Sequence, residues 1–259
     1  MSSWTLLAVN AAVAAGLMVA LWLVQVRDHD ATPVDVGWAY GIGLLALVDA
    51  ALADGAAAQR LLIATLVAIW SLRLGTYILV RGVIRGHGED RRYAEMRTRY
   101  GRNANRNFFV FFQAQAAFVL AFSLPALLAS SNRASELKPI EWIGTAVWAL
   151  GVSGESLADR QLTEWKNAHP GVTARGGLWR YSRHPNYFFE WVTWVGLALI
   201  AAAAPFGWIA FLTPALLLLL ILFVTGIPPS ERQALRSRGD DYRRYQQETS
   251  VFVPWFPKR

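Results

Sequence analysis

The chain of 259 residues is 54% hydrophobic, holds 12 Trp and carries a formal charge of +7. That composition excludes an ordinary soluble domain and points to an integral membrane protein, while the absence of Cys removes disulfides, thiol catalysis and cysteine metal sites. An isoelectric point near 10.0 does not by itself mean nucleic acid: the cations are mostly Arg in connections flanking apolar runs, no binding motif accompanies them, and no nucleic-acid partner is expected.

A bilayer-spanning helix needs about 20 predominantly apolar residues. Seven segments qualify, at 4–26, 34–53, 61–80, 107–129, 139–157, 187–204 and 206–225. The expected fold is all-α, an integral membrane bundle of seven transmembrane helices. With no internal repeat or low-complexity linker, residues 1–259 read as a single domain. The first segment has no basic residue ahead of its apolar run and continues past the length of a signal-peptide core, so it is expected to be retained. Short loops rich in Lys and Arg mark the cytoplasmic side. Arg27, eight Arg between 81 and 106, five basic residues between 158 and 186 and seven after 227 fall on one side, against Arg60, Arg133 and Lys138 on the other. An odd number of spans then places the N-terminus outside and the C-terminus in the cytoplasm.

Ionisable residues within spans are costly and are functional candidates by default. Asp35 opens the second segment beside Trp38 and Tyr40 and reads as functional. Asp49 lies near Asp54 and the outer interface and reads as hydrated. Arg73, in the third segment, is suited to an inner carboxylate or to a cofactor phosphate. Beyond that segment, Arg81, Arg85, Arg91 and Arg92 could hold a phosphate through paired donors, or could serve topology and pair with Glu89 and Asp90.

The densest polar cluster is GGLWRYSRHPNYFFEWVTWVG, residues 176–196, which runs straight into an apolar segment. Arg180, Tyr181, Arg183, His184, Asn186 and Glu190 form a candidate cofactor-binding set there. His184 precedes a proline, which biases it to extended backbone, and Asn186 and Glu190 then share one face of the helix that follows. Upstream, Glu155 and Asp159 are four apart on one helix face with Lys166 two turns on, a pattern suited to ribose or amide groups or to a solvated helix end. In the tail after Ile227, Ser230 and Gln233 are spaced as a capping box, Leu235, Tyr242 and Tyr245 can rest on the membrane, and Phe252, Trp255 and Phe256 suit its interface. The histidines at 29, 87, 169 and 184 lack the paired spacing of a helical zinc site, so no metal is expected. Gly41 and Gly43 follow no strand and have no third glycine in register, so any nucleotide is held without a Rossmann fold.

The stretch GGLWRYSRHPNYFFEW, the preceding Asp159, Arg160 and Gln161, the tail GIPPSE and DDYRRYQQETSVFVPWFP, the VDVGW around Asp35 and the GEDRRY around Asp90 together resemble the steroid 5-alpha-reductase family, in its bacterial branch. The resemblance spans nearly the whole chain. It implies a seven-helix reductase that binds NADPH from the cytoplasmic side of the membrane, the inner membrane in a prokaryote, and reduces the carbon-carbon double bond of a 3-oxo-Δ4 steroid or related lipophilic enone. It assigns Asn186 and Glu190 to the nicotinamide end, Asp159 and Lys166 to ribose or phosphate, Arg73 to the cofactor and Asp35 to the catalytic carboxylate. Trp70 falls where mammalian members carry a catalytic tyrosine, which leaves Tyr40, Tyr77 or Tyr187 as alternative proton donors. Burial is expected to keep Asp35 protonated as a hydrogen-bond donor to the substrate carbonyl. Membrane methyltransferases acting on isoprenylcysteine or phospholipid share the RHPxY motif and a similar tail. They are the alternative reading, with S-adenosylmethionine as the cofactor.

Overall fold

The computed structural model describes residues 1–86 and 88–258. The fold is all-helical, with no strand among the described residues. Five helical runs are long and apolar enough to cross a membrane: Ser3–Asp28, Pro33–Leu52, Ala57–Ile84, Arg91–Ser130 and Gly207–Arg238. The protein is therefore a multi-pass integral membrane protein. Two of the seven expected spans do not meet the same measure. The helix over 185–201 has 17 residues and carries Glu190, and the helix over 139–168 is continuous but less apolar, with Glu141 and Glu155 in the stretch expected to span.

The chain divides into two compact units, Met1–Lys138 with Ala201–Gly207, and Pro139–Ile200 with Trp208–Arg259. The first unit holds α1 (Ser3–Asp28), α2 (Pro33–Leu52), α3 (Ala57–Ile78), α4 (Arg91–Tyr100) and α5 (Ala104–Ser130). Ser2 caps α1 by accepting from the Thr5 N–H, and Asp90 caps α4 by accepting from the Arg92 N–H, so each helix starts where a side chain takes an orphan amide. α3 ends in a π-helical turn, Leu79–Ile84. The core of this unit is aromatic: Trp70, Phe108, Phe112 and Phe122 are buried, and Trp38 meets Trp70 and Phe122 edge to face.

The second unit holds α6 (Pro139–Ala168), α7 (Pro185–Ala201), α8 (Leu212–Leu219), α9 (Ile227–Arg238) and α10 (Asp240–Glu248). Glycines let α6 and α7 approach backbone to backbone. A methyl group on Gly151 would lie 2.5 Å from the Thr193 nitrogen, and one on Gly144 2.8 Å from the Gly196 oxygen. These pairs run antiparallel along the two helices, and the same register carries Asp159 of α6 opposite Asn186 of α7. After Ile227 the tail forms two helices, broken at Gly239, whose φ of 52° favours glycine. The capping box does not form: α9 begins after Gly226 with prolines in its first turn, and the Ser230 hydroxyl instead meets the Tyr187 hydroxyl at 3.0 Å.

Candidate functional site

The motif ahead of α7 is fastened to α6 by side chains of α6 and of the motif itself. Gln161 Oε1 accepts from the Leu178 N–H at 2.9 Å, and the indole of Trp179 donates to the Ala158 carbonyl at 2.9 Å. Gly177 has φ 59° and lies where a side chain would collide with Gln161, which accounts for the second glycine of the pair. Held this way, the chain enters α7 at Pro185 and brings Asn186 against α6, where its Nδ2 donates to Asp159 Oδ1 at 3.3 Å. Glu155, one turn earlier on α6, is 5% exposed. Glu190, one turn beyond Asn186, accepts from the Trp194 indole at 2.9 Å. Lys166, Arg180 and Tyr181 are exposed. The structure thus places Glu155, Asp159, Asn186 and Glu190 along the facing stretches of two helices.

Arg183 and His184 are engaged elsewhere. The Arg183 guanidinium donates to Glu231 Oε1 at 2.6 Å and to the carbonyls of Gln246 and Thr249 at 3.0 and 2.7 Å. His184 Nε2 lies 3.4 Å from the same Glu231 oxygen, with its ring stacked on Tyr187. Gln246 donates to Glu231 Oε2 at 2.8 Å. Tyr245 donates to the Trp179 carbonyl, and Ser182 donates to the Phe252 carbonyl at 2.7 Å. These two members of the expected cofactor set therefore fasten the C-terminal tail to the motif, and Tyr187, expected as a possible acid, is tied to Ser230. Sequence reasoning missed Glu231; its only signal was the GIPPSE stretch of the tail.

A second tie joins Asp241 to the loop before the motif, since Asp241 accepts from the Thr173 N–H at 3.1 Å and from Arg175 at 2.9 Å. The Thr173 hydrogen bond, with the nearby Arg175 and Arg244 charges, holds the Asp241 carboxyl below its ordinary value of 3.8. A carboxyl with a lowered folded pKa stabilises the docked tail above its unfolded pKa and loses that contribution as pH falls through the folded value. Tail docking, followed by hydrogen exchange at α10, is thus expected to be level from pH 7 to about 5 and to weaken below about pH 4. Asp241→Asn is expected to weaken docking at pH 7 and to flatten that acid limb.

In the first unit, Asp35 is bound by two donors. The Tyr93 hydroxyl donates to Oδ1 at 2.6 Å and the Arg92 guanidinium to Oδ2 at 2.7 Å. Both oxygens are thus taken up as acceptors, where a donor to a substrate carbonyl was expected. Arg92 and Tyr93 were not singled out as partners of Asp35, although they lie in the GEDRRY stretch; the separation of 57 residues hides the pairing. Glu89 accepts from Arg97 at 2.7 Å and from the Ala31 N–H at 2.9 Å, so the acidic residues of this loop do pair with its arginines. Trp70 is fully buried and Arg73 half-buried on α3. Tyr40 is bonded to Thr76 at 3.0 Å, and Tyr77 accepts from Arg81 at 3.5 Å. Asp49, expected to be hydrated, has no exposure and accepts from Asn10 at 2.8 Å. His87 lies outside the described residues, and among the described residues no His, Cys, Asp or Glu group is placed to hold a metal.

The DUF1295 family model, described as a protein of unknown function, matches residues 21–249, a span that takes in both clusters and most of the tail. The chain belongs to the DUF1295 family. No curated protein and no solved structure matches it. For DUF1295, the geometry here separates two kinds of polar residue in the motif: Asn186 meets α6, while Arg183 and His184 meet the tail.

Proposed function

We propose that this DUF1295 protein is an NADPH-dependent membrane reductase acting on the carbon-carbon double bond of a 3-oxo-Δ4 steroid or related lipophilic enone, with its cofactor site facing the cytoplasm. The observation that carries the reading is the meeting of Asp159 and Asn186 at 3.3 Å, since the steroid 5-alpha-reductase resemblance assigns these two residues, 27 apart in the chain, to adjoining parts of one nucleotide.

The residues fit such a cofactor chemically. Asp159, an acceptor-only group when ionised, suits ribose hydroxyls. Lys166, exposed two turns further along α6, suits a phosphate. Asn186 offers both donor and acceptor to a carboxamide, and Glu190 on the same helix face accepts from amide N–H groups. NADPH when bound supplies the hydride that goes to the enone β-carbon. The protein's part is to hold that group, exclude water within an apolar bundle and polarise the carbonyl as negative charge develops on it. With Asp35 held as an acceptor by Arg92 and Tyr93, its part in this scheme is to fix the Tyr93 hydroxyl rather than to donate a proton itself.

The test is cofactor binding to the purified protein in detergent. NADPH is expected to bind, and Asp159→Asn to weaken it about tenfold through loss of a charge-assisted hydrogen bond, without change in the unfolding midpoint. Binding of S-adenosylmethionine in place of NADPH would overturn the reductase and leave the methyltransferase.

A further inference from the structure

Beyond α10 the chain from Ser250 to Lys258 is neither helix nor strand, and its two edges differ. The inner edge is fixed to the motif and to α10. The Arg183 N–H donates to the Ser250 carbonyl at 2.8 Å, the Trp255 N–H to the Tyr181 carbonyl at 2.9 Å and the Lys258 N–H to the Glu248 carbonyl at 2.8 Å. The Ser182 hydroxyl donates to the Phe252 carbonyl at 2.7 Å, and Pro254 and Pro257 have no N–H to satisfy. Phe252 is 6% exposed and meets Phe188 and Trp191 edge to face, at 5.6 and 6.2 Å between centroids.

These contacts set the level of the strap within the second unit. Phe188 and Trp191 belong to the first turns of α7. Phe252 also clusters with Ile221 and Ile227, which flank the point where the spanning run Gly207–Arg238 passes from its apolar part into the arginine-bearing α9. The strap therefore crosses the second unit where a spanning segment emerges.

The outer edge is apolar and open. Val253, Trp255 and Phe256 are 54%, 69% and 75% exposed. The Phe256 ring meets those of Tyr181 and Trp255 edge to face, at 6.1 and 6.3 Å, so the rings form one continuous surface, and the exposed Arg180 and Lys258 flank it in the chain. A contiguous exposed apolar patch marks a contact. Aromatic rings with adjoining cations at the end of a span match the phospholipid headgroup layer, which accepts rings among its headgroups and offers phosphates to cations. That layer also hydrates the backbone N–H groups of the strap that have no protein partner, as the hydrocarbon core would not.

We propose that the outer edge of this strap is a membrane-surface contact, with Tyr181, Trp255 and Phe256 entering the headgroup layer and Arg180 and Lys258 meeting its phosphates. Arg180 and Tyr181, expected from sequence to hold a cofactor, thereby contact lipid. The bilayer also gains a hold on the motif, because the strap is bonded to Tyr181, Ser182 and Arg183, the residues that lead to Asn186.

The chain has no Cys, so a single cysteine can carry a nitrobenzoxadiazole fluorophore in the full-length protein. Val253→Cys and Phe256→Cys are labelled separately and reconstituted in nanodiscs of phosphatidylethanolamine and phosphatidylglycerol. Both labels are expected to lose most of their fluorescence when phospholipid bearing a nitroxide near its headgroup is included, and to be shielded from iodide in the water. Val253→Cys leaves all the rings in place and carries the test if the loss of Phe256 loosens the strap. Quenching by iodide with none by the lipid nitroxide puts the strap in water and overturns the proposal. So does shielding from both quenchers that is lost at one copy per nanodisc, since the surface would then meet a second copy of the chain.

Discussion

Glu231→Gln is expected to be the most destabilising single polar substitution in the second unit. Its carboxylate takes hydrogen bonds from Arg183, Gln246 and Tyr242 and faces His184, and the Arg183 and Glu231 side chains are only 11% and 16% exposed. Removing one partner of a buried ion pair leaves the other charge desolvated without compensation, at about 3 kcal/mol. For a chain of this size that corresponds to a fall of about 8 °C in the unfolding midpoint. Arg183→Gln is expected to match it, and the double variant to cost clearly less than the sum, because the two residues share one interaction. Additive losses measured by thermal unfolding would show that the pair is not the unit that fastens the tail.

Enlarging Gly151 is expected to do comparable damage by a different route. The Cβ of any other residue would fall 2.5 Å from the Thr193 nitrogen and 2.8 Å from its Cα, both backbone atoms that cannot rotate aside. α6 and α7 must then separate, at about 3 kcal/mol for an overpacked contact, and the register that sets Asp159 against Asn186 goes with them. Gly151→Val is therefore expected to lower the unfolding midpoint and NADPH affinity together. Gly16→Ala, where nothing lies within 4 Å, is expected to leave both unchanged or to stabilise α1 slightly, since alanine is the better helix former. Retained cofactor binding in a folded Gly151→Val protein would separate the helix crossing from the site.

The helices were legible because membrane spans are written in composition, and runs of apolar residues at 4–26 and 107–129 return as α1 and α5 nearly end to end. The motif ahead of α7 was legible for a related reason: polar side chains crowd against an apolar segment where burying them is costly. Which partner each would take was not. Arg183 finds Glu231 at a separation of 48 residues and Asp35 finds Arg92 at 57, and periodicity within a helix carries no information about pairings at that range. Asp35 shows the consequence. Its place at the entry to α2 suggested a buried neutral acid, but the cation and hydroxyl that meet it come from α4, a short helix rich in arginine in the connection between α3 and α5. The break at Gly239 was hidden likewise, since a single glycine between two polar helical stretches is tolerated in one helix as readily as it ends two.

The most direct measurement is the fate of deuterium from NADPH labelled at nicotinamide C4, incubated with the purified protein and progesterone and followed by mass spectrometry and proton magnetic resonance. A reductase places the label on the enone β-carbon, C5, with one oxidised cofactor formed per saturated ketone, and Asp159→Asn slows that transfer while the protein stays folded. Saturated product without label at C5, or no transfer to any enone by a protein that binds and turns over S-adenosylmethionine, contradicts it.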